Sequence, residues 1–240
     1  MHRFFADKSQ FDEDTVRLAG DDVKHISRVL RLGLGDRISI CDKEKHDFIC
    51  TLTEIGKDYA LAHIDEVIQN TNESNIEITL YQGLPKGDKM DLIVQKSVEL
   101  GAVRIVPVVM KRTVVKLKGA GKSDRWQRIS EEASKQCMRG IVPEVETPIS
   151  FSDMLSRIDD GSLTILPYEN ERQTRLCDAL SDGKNKINII IGPEGGFDEA
   201  EVEACTRKGA RVVTLGPRIM RCETAPIATI SAVMYQLGDW

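Results

Sequence analysis

Two Gly-Pro stretches between residues 190 and 226 carry residue types that can do chemistry. In the first, IIGPEGGF at 190–197, branched residues run into Gly192-Pro193-Glu194-Gly195-Gly196. In the second, VVTLGPRIMRCETAP at 212–226, a branched run again ends in Gly-Pro. Glycine lets backbone N–H and C=O groups approach a ligand closely. Phosphate is a poor fit for that ligand. The P-loop needs Lys-Ser/Thr after its glycines, and Phe197-Asp198 follows here. The dinucleotide fingerprint G-x-G-x-x-G is absent, and Glu194 would repel a phosphate. A neutral or cationic ligand, such as a ribose or an adenine edge, suits the loops better. The second loop adds Arg218, Arg221 and Glu223. Arginines stay ionised and fork toward oxyanions. Glu223, at the start of a predicted helix, also suits the helix macrodipole.

Such loops need a scaffold, and from residue 76 the chain alternates strand and helix. IEITLYQG, VRIVPVVM, LTILPYE, KINIIIG and RVVTLG read as strands. Helices are predicted from Asp88 to Leu100, over SDRWQRISEEASKQCMRG, and near 172–181. Asp198 and Glu201 stand at capping-box spacing for another helix. Glu223 or Thr224 starts the last, with Pro226 in its first turn and Ile227, Ile230, Ser231, Met234 and Leu237 on one face. Repeated β-α units imply a mostly parallel sheet covered by helices. Ligands sit beyond the carboxyl ends of such strands, where LPYE (166–169) and both glycine loops fall at neighbouring strand ends.

The first seventy residues differ. Arg3–Phe5, DRISICD, HDFICTLTEIG and YALAHIDEV alternate as short strands, with turns between. DDVKHISRVLRL (21–32) reads as an amphipathic helix capped by Asp21 or Asp22, with Val23, Ile26, Val29 and Leu30 on one face. This is a small β-barrel-like module, joined by the polar stretch 68–75 to the rest.

The chain has 240 residues and a formal net charge of −5. Charge is unevenly spread: residues 86–139 carry 13 basic against 6 acidic groups, an electrostatic footprint for phosphate backbone. Six scattered cysteines, without a CxxC pair or a visible signal peptide, read as reduced cytosolic thiols. No apolar run approaches the ~18 residues of a membrane span. No Cys/His cluster or HExxH suggests a metal.

Taken in order, IGPEGGF (191–197), LGPRIMRCETA (215–225), KGDKMDLIVQKSVELG (86–101), EASKQCMR (132–139) and HISRVLRLGLGDRI (25–38) resemble the SPOUT-type 16S ribosomal RNA (uracil-N3)-methyltransferases, the RsmE family, over essentially the full length. Departures are small: Lys89 where Arg is frequent, KRT (111–113) for an acidic-Arg-Ser run, and Cys222 for Ala. The resemblance implies an α/β fold: a PUA-like β-barrel RNA-binding domain over 1–70, then a SPOUT methyltransferase domain over 71–240 with a deep trefoil knot in about 163–240. It implies S-adenosylmethionine as cofactor, with S-adenosylhomocysteine as product, and a homodimer. It also implies a cytoplasmic enzyme that acts on 16S rRNA in the assembled 30S subunit.

The cofactor would be held by Leu166, Pro167, Tyr168, Ile191, Gly192, Pro193, Glu194, Gly195, Gly196, Leu215, Gly216, Ile219, Met220, Arg221, Thr224 and Ala225. Arg221 or Arg218 would stabilise charge developing on the uracil oxygens, and the base would be Glu223 or water. RNA contacts are expected from Arg3, His25, Arg28, Arg31, Lys86, Lys89, Lys111, Arg112, Lys116, Arg125 and Arg139. Trp126, on an amphipathic helix, reads as core more readily than as a base-stacking platform. The rival readings are a non-catalytic RNA-binding or ribosome-assembly protein of this fold, a same-fold enzyme acting on transfer RNA or another ribosomal RNA site, and a nucleotide-binding metabolic enzyme, which the absent phosphate motifs and the basic stretch disfavour.

Overall fold

Alternating apolar positions in the N-terminal region build a five-stranded sheet. The computed structural model describes residues 1–115, 121–158, 161–181 and 183–239. Two compact units emerge, the first comprising Met1–Glu73 with Ser134–Val142. Its strands are β1 (His2–Phe5), β2 (Thr15–Ala19), β3 (Arg37–Cys41), β4 (His46–Ile55) and β5 (Tyr59–Gln69), in the order β1-β3-β4-β5-β2. Only β1 and β3 pair parallel; the other ladders are antiparallel. Phe4, Val16, Leu18, Ile38, Ile40 and Leu52 form the buried core beneath the sheet. β2 escapes a reading by pattern because it follows the acidic run Asp12–Asp14, which reads as loop.

The expected helix over 21–32 is not one helix. α1 covers only Asp21–Lys24, and a π-turn follows over His25–Val29. Gly20 occupies the N-cap, rather than Asp21 or Asp22. The wider turn is closed by the Leu30 N–H donating to the His25 carbonyl at 2.9 Å. It shifts the register of the apolar stripe, so Val29 is 66% exposed while Val23 and Ile26 are buried.

The second unit is Ser74–Ala133 with Pro143–Trp240. Its strands are β6 (Glu77–Gly83), β7 (Ala102–Val109), β8 (Glu144–Val145), β9 (Ile149–Ser150), β10 (Leu163–Pro167), β11 (Lys186–Ile191) and β12 (Arg211–Val213). They run β12-β10-β11-β6-β7-β8, with β9 also on β7, and every ladder is parallel. The helices are α2 (Lys89–Glu99), α3 (Gly121–Gln136), α4 (Phe151–Arg157), α5 (Leu176–Ala179), α6 (Glu199–Arg207) and α7 (Thr224–Leu237). α2 buries Met90, Ile93, Val94 and Ser97, the stripe its spacing predicts. Trp126 on α3 is buried.

α7 buries Pro226, Thr229, Ile230, Val233 and Met234, so its inward face lies about one position round from the expected one. α5 is far shorter than the predicted 172–181. One Glu171 oxygen accepts from the backbone N–H groups of Arg172, Gln173 and Thr174, which holds that stretch in a turn and delays the helix. α4, which the sequence reading passes over, starts on a capping box between Ser150 and Asp153.

Candidate functional site

Strand order decides what the glycine loops can build. β10 lies between β11 and β12, so the two glycine loops are not direct neighbours, and the loop after β10 stands between them. Together the three line a cleft of about 490 Å³. Pro167, Tyr168, Ile191 to Gly196, Leu215, Gly216, Arg218, Ile219, Met220, Arg221 and Ala225 all line it, as expected. Leu166, Thr224 and Glu223 do not: Leu166 is packed into the core, Thr224 opens α7 with its N–H on the Arg221 carbonyl, and the Glu223 carboxylate is held by Lys89 and Cys222.

Two glycines make the cleft possible. At the end of β6, a Cβ on Gly83 would stand 2.5 Å from the Pro193 nitrogen. The strand and the loop therefore pack backbone against backbone, a distance no side chain permits. Gly196 has φ +67, and a Cβ there would meet a Glu169 carboxylate oxygen at 2.7 Å. Tyr168 and Phe197 join two of the loops edge to face, 6.4 Å between centroids.

The charges are mixed. Lys89 Nζ is 3.2 Å from Glu194 Oε1 and 3.2 Å from Glu223 Oε2. The Lys86 N–H donates to Glu194 at 2.9 Å, and the Cys222 thiol donates to Glu223 at 3.2 Å. For both carboxylates burial favours the neutral form, but the hydrogen bonds outweigh it and hold them below the usual range. For Lys89 burial also opposes charge, and its bonds to Glu223 and Glu194 overcome that and raise it. Burial, then the Glu223 contact, pushes the Cys222 thiol up to about 12, so it stays protonated. Arg218 and Arg221 are exposed and have no partner among the described residues.

Sequence reasoning missed several lining residues: Glu169, Arg172, Phe197, Thr214 and Cys222. Glu169 and Arg172 belong to the loop after β10, and only the strand order shows that this loop sits between the other two. Lys89, expected among the RNA contacts, lines the cleft.

The remaining basic candidates divide sharply. Arg3 and Arg139 are buried, not presented to RNA. Arg3 Nη2 pairs with Asp47 at 2.7 Å and donates to the Arg139 carbonyl at 2.7 Å. Arg139 Nη2 pairs with Glu73 at 2.8 Å, the two side chains being 5% and 4% exposed. Sequence gives no sign of this, because the carboxylates come from distant positions. Arg125 is exposed but paired with Asp91 and Asp88. Lys111 pairs with Asp198 at 3.0 Å, and Arg112 donates to the Gly195 carbonyl at 3.1 Å, so both clasp the glycine loop. His25, Arg28 and Arg31 are exposed, as is Lys86. Lys116 lies outside the described residues. Among the described residues no His/Cys/Asp/Glu group could hold a metal ion, and no helix is long and apolar enough to cross a membrane.

Comparisons with known proteins agree with this architecture. A family described as an RNA methyltransferase domain matches residues 72–234, and an RNA methyltransferase PUA domain matches residues 18–65. The ribosomal RNA small subunit methyltransferase E of Bacillus subtilis (strain 168) is 36% identical, covering 98% of this chain and 97% of its own length. The protein of that name from Mesomycoplasma hyopneumoniae (strain 232) is 30% identical, covering 95% and 96%. The crystal structure of a ribosomal RNA small subunit methyltransferase E from Neisseria gonorrhoeae, bound to S-adenosyl methionine, is 34% identical with a TM-score of 0.91, covering 100% of this chain and 99% of that one. With a parallel sheet, a three-loop cleft and full-length identity of this order, the chain belongs to the RNA methyltransferase family that these small subunit methyltransferase E proteins represent.

Proposed function

We propose that this chain transfers a methyl group from S-adenosylmethionine to N3 of a uridine in 16S ribosomal RNA, acting on the assembled 30S subunit. The observation that carries the reading is the cleft built by three loops from adjacent parallel strands. Its residues fit the cofactor. Side chains are missing where Gly83 and Gly196 let backbone and loop close in. Glu194 and Glu169 line the cleft and would supply the negative charge that a sulfonium needs, alongside Lys89, which also pairs with Glu223.

When bound, S-adenosylmethionine supplies an electrophilic methyl carbon. The main-chain groups of Leu215 and Ile219 would hold the adenine, and Gly192 to Gly196 the ribose. The target base is splayed from its stack before it can enter such a cleft. Uracil N3 must lose its proton, which leaves negative charge on O2 and O4. Arg221 and Arg218, unpaired in the cleft lining among the described residues, would stabilise that charge. Glu223 is engaged by Lys89 and Cys222 and holds its charge, which makes it a weak base and favours water as proton acceptor. Much of the rate would come from holding the reactants in line.

Residues 1–70 would act as an RNA-binding domain and 71–240 as the methyltransferase domain, apart from Ser134–Val142, which belongs to the first compact unit, with the knot in about 163–240. The homodimer reading is supported by an apolar cleft of about 400 Å³ that Leu176, Leu180, Ala228, Ala232 and Tyr235 line beside α5 and α7. A cytoplasmic location follows from the substrate. The test is methyl transfer to small subunits lacking the modification, followed by nucleoside mass spectrometry, with naked 16S RNA and transfer RNA alongside. N3-methyluridine on subunits alone is the expected result. Cofactor binding without product would overturn the substrate. No cofactor binding would favour the non-catalytic RNA-binding reading.

A further inference from the structure

We propose that Lys89 is a positioning residue that ties Glu194 and Glu223 into a triad of one net negative charge, and that this charge makes the cleft favour the sulfonium cofactor over the uncharged thioether left after transfer. The inference rests on the reading of the cleft as the cofactor site. Three separate elements meet at one ammonium. Lys89 opens α2, Glu194 sits in the loop after β11, and Glu223 directly precedes α7. Nζ is 3.2 Å from a carboxylate oxygen of each. Every carboxylate has a second donor, the Lys86 amide for Glu194 and the Cys222 thiol for Glu223. With both acids ionised and the lysine charged, the triad carries −1.

The position of that charge is what gives it an effect. The three side chains are between 19% and 31% exposed, so they lie in a medium where Coulomb interactions exceed those in water. Lys89, Glu194 and Cys222 line the cleft. An unneutralised lysine there would repel a sulfonium. Two carboxylates without the lysine would repel each other, and one would take up a proton. The lysine thus fixes the loops and trims the charge to a single surplus. The cleft's other charged residues are Glu169, Arg172, Arg218 and Arg221. All four are exposed, so solvent and salt screen them more strongly. Methyl transfer removes the sulfonium charge, and with it the attraction of the triad. The same device that favours loading therefore favours release.

Isothermal calorimetry on the full chain, with S-adenosylmethionine and S-adenosylhomocysteine as the two probes, tests this. Glu194→Gln and Glu223→Gln each neutralise the triad without changing side-chain shape. In both, the ratio of the homocysteine Kd to the methionine Kd should fall by about fivefold to tenfold. Lys89→Met unties the loops and should weaken both ligands by more than about tenfold, whereas Lys89→Arg should restore both. A purely structural role weakens the two ligands equally, so an unchanged ratio in both glutamine variants would overturn the proposal. Failure of the unaltered chain to bind either ligand would instead overturn the cofactor reading beneath it.

Discussion

Arg221 and Arg218 line the cleft with no partner of their own, while Glu194, Glu223 and Lys89 are fully engaged with one another. That contrast separates groups free to meet a substrate from groups that hold the loops. Arg221→Ala should therefore lower methyl transfer by about 10²–10³-fold, the usual cost of one oxyanion donor, while the cofactor still binds. Single-turnover transfer and calorimetry on one preparation check it; unchanged turnover would remove Arg221 from the chemistry. The pH behaviour of the holding group follows from its ionisation. Glu194 is held below its ordinary 4.5, so its contribution to stability is fully present above 4.5 and is lost as the pH falls through the lower folded value. Lys89 is raised above 10.5, so its contribution is present below 10.5 and is lost as the pH rises through the higher folded value. The Tm difference between the unaltered chain and Glu194→Gln should accordingly be flat from about pH 6 to pH 9 and shrink in acid below the unfolded carboxylate pKa. Calorimetric melts across that range would show it.

At the level of elements, the decisive contact is the backbone of β6 against the loop after β11. Gly83→Ala would place a carbon 2.5 Å from the Pro193 nitrogen, which the loop can relieve only by moving. Expected are a Tm loss corresponding to about 1–3 kcal/mol and weakened cofactor binding, against an Asp198→Ala variant. The latter removes an N-cap of α6 and costs about 1 kcal/mol. Which elements were legible in the sequence follows from the same physics. The strands before both glycine loops, α2 and the α6 capping box stand out because one short window holds their whole signal. Val29 misleads because a π-turn changes the helical period within one turn, and nothing in HISRV announces it. α5 shortens because Glu171 captures three amides that a helix would have used differently. β8 and β9, of two residues each, are too short for any period. Within the site, the glycine loops are local and readable. The meeting of Lys89 with Glu194 and Glu223 spans more than a hundred residues and needs the parallel sheet to exist first.

Across the whole molecule the charge pattern carries less RNA-facing surface than its sum suggests. Within the basic stretch, Lys96, Arg104, Lys111, Arg125, Lys135 and Arg139 are all paired with carboxylates, while Lys86, Lys122 and Arg128 remain exposed without a partner among the described residues. In the first unit, Arg28 and Arg31 are exposed and unpartnered among the described residues too, and Arg31 holds a left-handed φ of 55. Free and buried arginines should then separate in one experiment. Arg28→Glu with Arg31→Glu should weaken binding to the small subunit and flatten the plot of log K against log salt by roughly 1.5, two phosphate contacts' worth of counterion release, with Tm unmoved. Arg139→Ala should do the reverse. Glu73, its side chain 4% exposed, would lose its guanidinium partner and keep only the Gly140 and Ile141 amides, a loss of about 3–5 kcal/mol of stability, seen as a lower Tm, while the salt slope of the protein that remains folded is retained. If Arg139→Ala instead flattened the salt slope at constant Tm, its guanidinium would have to reach RNA, and the Glu73 pair would have to open on the subunit. If the double charge reversal left the slope unaltered, Arg28 and Arg31 would be ordinary solvated surface, and the phosphate contacts would have to come from the basic stretch alone.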